Sequence, residues 1–230
     1  MKQKICIIGG TSLMESKIFA GWAKIAVKNK YGRVNIYQKG SVIFVQRHEG
    51  NVPPHKINYR AYIQALADRG VKKIISVNSV GSLKKSIKVP GLLLPHDFIS
   101  PWHIPTFFNN EIKHVRPQFS ERLRNVIIKC CRRLKTPIYE RGIYWQAIGP
   151  RFETPAEIKM LARFADVVGM TLGSEATLAS EKGIEFAAIC SIDNYANGVA
   201  GEVNYEQVKA GAKKNLANLE ILLKDFLTII

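Results

Sequence analysis

Residues 4–13, KICIIGGTSL, join a short apolar run to a loop of glycines and hydroxyl-bearing side chains. An apolar run that stops at Gly9 and Gly10 is typical of a buried strand ending in a tight loop. Three more predicted strands end in polar or hydroxyl-bearing residues: Val42–Gln46 before Arg47, Lys73–Asn78 before Ser79, and Asp166–Met170 before Thr171.

Segments with helical periodicity alternate with the apolar runs along the chain. Helices are predicted over 58–69, 121–134, 155–163, 172–182 and 204–227, and the remaining strands over 92–95, 139–147 and 186–192. This alternation predicts an α/β fold whose sheet is largely buried. The stretch 100–117 breaks the periodicity and is predicted to be a long excursion loop. We expect one domain over residues 1–230.

The composition narrows the class of protein. The net charge is +16, from 34 Lys+Arg and 18 Asp+Glu, but the basic residues lie in scattered pairs without interleaved aromatics, so no nucleic-acid partner is expected. The four cysteines show no metal-binding spacing and are expected to be reduced core residues. No apolar run is long enough to span a membrane and no signal peptide is recognisable, so we expect a cytoplasmic protein without a membrane partner.

The residues that follow the predicted strands are suited to binding an anion. Glycines at 9 and 10 let backbone N–H groups approach a ligand, and Thr11 adds a hydroxyl. Arg47 offers a planar fork of donors, and His48 is a titratable neighbour. Ser79 and Thr171 supply further hydroxyls. In an open α/β sheet such groups meet at the carboxyl edge, which is where ligands bind.

Several segments, in this order, resemble the trimeric purine nucleoside phosphorylase and methylthioadenosine phosphorylase family. The segments are GGT at 9–11, RH at 47–48, PHKINY at 54–59, NSVGS at 78–82, GPRFET at 149–154, GMT at 169–171 with Glu175, and Asn194. The resemblance covers nearly the whole chain and is weakest over residues 100–140. It implies a single-domain mixed twisted sheet flanked by helices and a pentosyltransferase that needs no cofactor, with inorganic phosphate as co-substrate.

The resemblance also implies a role for each site residue. Phosphate would be held by Thr11, Arg47, His48, Thr171 and the backbone and side chain of Ser79. The nucleoside would be contacted by Phe152, Glu153, Met170, Asn194, Tyr205 and His114, of which Phe152 would stack on the purine, Met170 would pack under the ribose, and Glu153 and Asn194 would be the catalytic residues. No metal ligand is implied.

The residue types at 153 and 194 indicate which purine is bound. A carboxylate at Glu153 can only accept a hydrogen bond, so it suits the N1–H of a 6-oxopurine and repels the N1 lone pair of adenine. Asn194 can donate to O6 and accept a proton at N7, whereas the adenine-directed relatives carry Ser and Asp at these two positions. One ambiguity remains: if Asp193 faced the purine in place of Asn194, adenine would become the preferred base.

The 5′ end of the nucleoside stays open at this stage. Oxopurine phosphorylases of the family place His where Tyr205 falls, and methylthio-specific members place a small apolar residue there. Inosine, guanosine and 5′-methylthioinosine therefore remain alternatives. His114 resembles a residue that a neighbouring subunit lends to the 5′ pocket, which implies a homo-oligomer, either a trimer or a hexamer.

The predicted function is phosphorolysis of 6-oxopurine nucleosides in purine salvage, in a physiological direction that the sequence leaves open. Three alternatives were weighed against it: an S-methyl-5′-thioadenosine phosphorylase, a hydrolytic nucleosidase, and a basic nucleic-acid-binding module. The first would prefer methylthioadenosine, the second would turn over without phosphate, and the third would bind nucleic acid in a salt-sensitive manner without turnover.

Overall fold

Strand β1 (Lys4–Gly9) is an inner strand whose side chains are buried on both faces of the sheet. The computed structural model describes residues 3–102 and 104–229. Ile5 and Ile7 pack into one hydrophobic cluster, and Cys6 and Ile8 pack into the cluster on the opposite face. Because both faces of β1 are covered, the strand is apolar along nearly its whole length rather than alternating.

The described part of the chain forms ten strands and five α-helices. The other strands are β2 (Ala23–Asn29), β3 (Gly32–Lys39), β4 (Val42–Gln46), β5 (Val71–Ser82), β6 (Gly91–Leu93), β7 (Asp97–Ile99), β8 (Ile143–Gln146), β9 (Val167–Gly169) and β10 (Glu185–Tyr195). The helices are α1 (Tyr59–Asp68), α2 (Glu121–Arg133), α3 (Pro155–Leu161), α4 (Leu172–Glu181) and α5 (Tyr205–Ile229).

All ten strands belong to one mixed sheet. Its main path runs β2-β3-β4-β1-β5-β9-β8-β7, and β10 pairs with β5 and with β6. The pairs β1–β4, β1–β5, β5–β10, β7–β8 and β8–β9 are parallel, while β2–β3, β3–β4, β5–β9 and β6–β10 are antiparallel. The parallel core brings the ends of β1, β4, β5 and β10 to one edge of the sheet.

Helices cover both faces of this core. Helices α1 and α4 pack on the face that carries Cys6 and Ile8, and α2 and α5 pack on the face that carries Ile5 and Ile7. A third cluster surrounds α3, with Ile158 and Leu161 at its centre. The α/β fold predicted from the sequence, a mixed sheet flanked by helices, is confirmed.

Most predicted elements are present with their ends shifted by a few residues. Helix α3 begins with Pro155 after the capping residue Thr154, and Asn204 caps α5 by accepting from the Gln207 amide at 3.0 Å. The described residues between 100 and 120 contain no helix or strand, as the broken periodicity predicted.

Three strands were not predicted. The hairpin β2–β3 lies at the edge of the sheet with one face half-exposed, so its residues alternate between apolar and polar rather than forming an apolar run. Strand β7 is only three residues long, which is too short for periodicity to reveal.

The helices of the described chain were also compared with what a membrane crossing requires. Within residues 3–102 and 104–229, none is both long enough and apolar enough.

Candidate active site

A cavity of about 490 Å³ lies where the ends of the inner strands meet the start of α5. Its volume is in the range of small-molecule sites. Of the site residues predicted from the sequence, all except His114 line it: Thr11, Arg47, His48, Ser79, Phe152, Glu153, Met170, Thr171, Asn194 and Tyr205. The strand ends therefore bring together residues that are up to 194 positions apart in the chain.

We use the name anion site for Thr11, Arg47, His48, Ser79 and Thr171. Thr11 opens a short 3-10 turn, Thr11–Leu13, directly after β1 and its glycines. A Cβ atom added to Gly10 would collide with Nη1 of Arg47, so only glycine leaves room for this approach. No acceptor for the Thr11 hydroxyl is found within residues 3–102 and 104–229.

Arg47 is held rigidly although it lines the cavity. Its side chain is only 1% exposed, and Nε and Nη2 donate to the two carboxylate oxygens of Glu175 at 2.8 and 3.1 Å. Nη1 donates to the Val77 carbonyl at 2.8 Å, and Nη2 also donates to Ser76 Oγ at 2.7 Å. Four of the five guanidinium N–H groups thus have protein acceptors, and one N–H on Nη1 has none in the described chain. The buried guanidinium is preorganised to offer that N–H to an anion.

Glu175 is the partner that makes this arrangement possible. Its side chain is fully buried, and besides Arg47 it accepts from Tyr62 Oη at 2.7 Å and from Ser76 Oγ at 2.5 Å. The burial raises the pKa of Tyr62, and the nearby Glu175 carboxylate raises it further, so Tyr62 stays protonated and donates. The ion pair supplies the negative charge that a buried arginine requires.

Thr171 is oriented through a second set of hydrogen bonds. Its Oγ1 accepts from Nδ2 of Asn78 at 3.0 Å, and its backbone N–H donates to Tyr144 Oη at 3.1 Å. Because a hydroxyl that accepts from an amide keeps its own hydrogen free, Thr171 can donate into the cavity.

His48 lies beside Arg47 with one ring nitrogen fixed. Nδ1 donates to the Val52 carbonyl at 2.8 Å, which leaves Nε2 as the second ring nitrogen. Burial lowers the pKa of His48, and the neighbouring Arg47 cation lowers it further. His48 is therefore neutral over a wider pH range than an exposed histidine.

Ser79 differs in one respect from the expectation. Its hydroxyl donates to Oδ2 of Asp193 at 2.5 Å, so the side chain is committed to a buried carboxylate. The backbone of Ser79 lies at the cavity wall. The side-chain contact with phosphate that was expected from the sequence would have to compete with this bond.

The ambiguity between Asp193 and Asn194 has a structural answer. Asn194 lines the cavity, whereas Asp193 is 3% exposed and bonds four neutral donors below the cavity wall. The pairing of β10 with β5 shifts register between Ile192 and Asn194, which is a β-bulge at Asp193. Strict alternation of side chains does not hold across a bulge, which is why the sequence pattern alone left the choice open.

Glu153 and Asn194 are the polar groups on the purine side. The Glu153 carboxylate has no cationic partner in the described residues because the adjacent Arg151 pairs with Glu157 at 2.8 Å. Burial raises the pKa of Glu153. Asn194 donates one amide hydrogen to the Tyr195 carbonyl at 2.8 Å, so its Oδ1 and second N–H remain for a ligand. Asn197 holds the Glu153 backbone carbonyl at 3.0 Å and so fixes this loop.

Phe152, Met170 and Tyr205 supply apolar surface. Phe152 is half-buried at the cavity wall, and Met170 packs so closely over Gly149 that a Cβ there would lie 2.6 Å from its sulfur. Tyr205 is the first residue of α5 and remains 51% exposed. Met14, Val203 and Val208 add apolar side chains to the same cavity.

His114 is exposed on the excursion loop and does not line the cavity of its own chain. This is the position expected of a residue that acts only in a neighbouring subunit, and its role stays a prediction.

The described residues were searched for a metal site. Within 3–102 and 104–229, no group of three or more His, Cys, Asp or Glu side chains is arranged to hold a metal ion.

The sequence profile of the Phosphorylase superfamily matches residues 4–228. The chain belongs to the phosphorylase superfamily. A probable 6-oxopurine nucleoside phosphorylase of Archaeoglobus fulgidus is 40% identical over 219 residues, which cover 92% of this chain and 90% of the relative. A probable S-methyl-5′-thioinosine phosphorylase of Methanocaldococcus jannaschii is 39% identical over 208 residues, which cover 86% of this chain and 81% of the relative.

A solved structure shows the same superfamily fold. The methylthioadenosine phosphorylase of Schistosoma mansoni in complex with adenine aligns with a TM-score of 0.89 over 99% of this chain and 92% of that one, at 24% identity. This likeness concerns the fold alone.

Two residues of the site were missed by the sequence analysis. Glu175 was noted as part of a motif but given no partner, and Asp193 was considered only as a rival to Asn194. A buried acid on an otherwise apolar helix is a signal for the first, because such an acid needs a paired cation. No signal in the sequence reveals the bulge at Asp193.

Proposed function

We propose that this phosphorylase-superfamily chain catalyses phosphorolysis of 6-oxopurine nucleosides. A phosphate oxygen bonds to C1′ of the ribose, the bond from C1′ to N9 breaks, and its electron pair goes to the purine. The products are the free base and ribose 1-phosphate, or 5-methylthioribose 1-phosphate from the methylthio substrate. Inorganic phosphate is the co-substrate, and the proposal uses no cofactor.

One observation carries this proposal: a single cavity joins the anion site to an unpaired acid and an amide. Arg47 and Thr171 supply donors aimed at an anion, as described above. Since the reaction passes through a cationic sugar, the protein has to position phosphate and stabilise charge rather than supply a nucleophile.

The purine side favours hypoxanthine or guanine. The Glu153 carboxylate accepts the N1–H of a 6-oxopurine, and Oδ1 of Asn194 accepts the proton that N7 carries as the base leaves. Adenine would face the Glu153 carboxylate with a lone pair, and such mispairing of buried polar groups is worth on the order of 10⁴ in selectivity.

The surroundings of Tyr205 are consistent with more than one 5′ substituent. Its hydroxyl can bond a 5′-hydroxyl, and the apolar side chains of Met14, Val203 and Val208 suit a methylthio group. The proposal therefore includes inosine, guanosine and 5′-methylthioinosine.

We also propose that the active unit is a homo-oligomer, a trimer in the first instance, in the cytoplasm. The exposed position of His114, outside the cavity of its own chain, supports this proposal. Light scattering coupled to size-exclusion chromatography measures the state directly, and a monomer that is fully active without association contradicts it.

The test of the function is a comparison of four nucleosides with and without phosphate. Inosine, guanosine, 5′-methylthioinosine and 5′-methylthioadenosine are assayed by base release. We expect turnover that requires phosphate and favours the three oxopurine nucleosides. Faster cleavage of methylthioadenosine would contradict the assignment of the base, and equal rates without phosphate would indicate a hydrolase.

A further inference from the structure

Asp193 is a buried carboxylate that no step of the proposed reaction uses. Its Oδ2 accepts from Ser12 Oγ at 3.1 Å and from Ser79 Oγ at 2.5 Å. Its Oδ1 accepts from Ser191 Oγ at 2.5 Å and from Asn215 Nδ2 at 2.9 Å. All four partners are neutral donors, and a carboxylate is the form of this side chain that can accept from all of them.

The two oxygens face different parts of the molecule. The partners of Oδ2 belong to the anion site or adjoin it, since Ser12 follows Thr11 in the 3-10 turn and Ser79 is on β5. The partners of Oδ1 belong to the scaffold, since Ser191 is on β10 and Asn215 is on α5. One side chain therefore links the anion site to the scaffold.

The local backbone is shaped to place this side chain. The bulge at Asp193 interrupts the pairing with β5, and bulges commonly redirect a side chain next to a functional site. Gly211 of α5 lies directly against the Asp193 backbone, where a Cβ atom would collide with the Asp193 carbonyl. The helix and the strand are thus in close contact where the carboxylate is held.

We propose that Asp193 is a positioning residue for phosphate. It fixes the 3-10 turn through Ser12 and the strand end through Ser79, so that Thr11 and the Ser79 backbone face the anion. It does not line the cavity and does not contact phosphate itself. This inference rests on the proposed function, because it assigns phosphate to the anion site.

Two serine variants test the proposal as a matched pair. Ser12→Ala and Ser191→Ala each remove one hydroxyl from the same carboxylate, and both serines are buried, at 2% and 0% exposure. Only Ser12 lies next to the anion site. We expect Ser12→Ala to raise the KM for phosphate about tenfold, because small displacements of a positioning group are costly. The KM for inosine should change less than about threefold, since uniform binding of the nucleoside is untouched.

Ser191→Ala is expected to change both KM values by less than about threefold. Equal rises in the phosphate KM for the two variants would overturn the proposal, because they would show a general loss of packing. Urea denaturation of both variants measures that packing loss separately.

Asp193→Asn supplies an independent readout because it removes the charge and keeps the shape. An asparagine has one acceptor oxygen for four donors, so we expect the phosphate KM to rise more than the inosine KM. If the buried charge acted only by repelling phosphate, the variant would bind phosphate more tightly, and a lowered phosphate KM would overturn the proposal.

Failure of this inference is distinguishable from failure of the proposed function. If the wild-type chain shows phosphate-dependent turnover and the serine variants behave alike, only the role of Asp193 is refuted. If the wild-type chain shows no dependence on phosphate, the proposed function is refuted, and the inference with it.

Discussion

Glu175→Gln tests whether the buried ion pair with Arg47 organises the anion site. Glutamine keeps the size of glutamate but removes the charge, and its amide nitrogen faces hydrogen-bond donors from Arg47, Tyr62 and Ser76. Arg47 would then be a buried cation without a counter-charge, since its side chain is 1% exposed.

The magnitude follows from the burial. Removing one partner of a buried pair costs about 3–5 kcal/mol, which is a large fraction of the roughly 5–15 kcal/mol by which domains are stable. For a chain of this size each kcal/mol lowers the melting temperature by about 2–4 °C, so a drop of roughly 6–20 °C is expected. Urea denaturation gives the free energy of unfolding, and phosphate titration of inosine cleavage gives the KM for phosphate, which should rise.

A double variant separates the structural and the catalytic parts. Arg47→Met with Glu175→Leu removes both charges, and apolar replacement of a whole buried pair costs less than breaking it. We expect it to be more stable than Glu175→Gln yet to lack phosphate-dependent turnover. The reasoning is refuted if Glu175→Gln unfolds within about 1 kcal/mol of the wild type, or if the double variant keeps its turnover.

Three further predictions concern the purine side and its supporting helix. Because burial raises the pKa of Glu153 and the bound oxopurine needs its carboxylate, kcat/KM for inosine should fall as the pH drops through a value above 4.5; Glu153→Gln should lose most activity and show no such acid limb, and an identical limb in both proteins would assign it to another group, with Glu202→Gln as an exposed control. Asn194→Asp should reduce the preference for inosine over adenosine-type substrates in competition assays, and an unchanged ratio would remove Asn194 from the base site. Thr154→Ala deletes the cap that accepts from the Glu157 amide at 3.2 Å and should lower the free energy of unfolding by about 1 kcal/mol, whereas no change in urea denaturation would show that the capping box does not hold this loop.

The sequence was most informative where the strands are buried on both faces. Runs such as residues 4–8 and 42–46 are apolar because helices cover both sides, so their positions and the residues after them could be predicted. The ends of parallel strands meet at one edge of the sheet, which is why Thr11, Arg47 and Asn194 line one cavity despite their separation in the chain.

The features that escaped prediction depend on tertiary contacts or on single-residue irregularities. The hairpin β2–β3 lies at a half-exposed edge, where a mixed pattern of polar and apolar residues resembles that of a loop. The bulge at Asp193 adds one residue to a strand without any change in composition. The partners of Glu175 come from α1, β4 and β5, so the sequence around residue 175 does not identify them.

A crystal structure with sulfate and hypoxanthine tests the central claim most directly. We predict sulfate against Thr11, Arg47 and Thr171, and hypoxanthine beside Phe152 with N1 toward the Glu153 carboxylate. Density for the anion at another surface, or a purine that contacts neither Glu153 nor Asn194, would contradict the account.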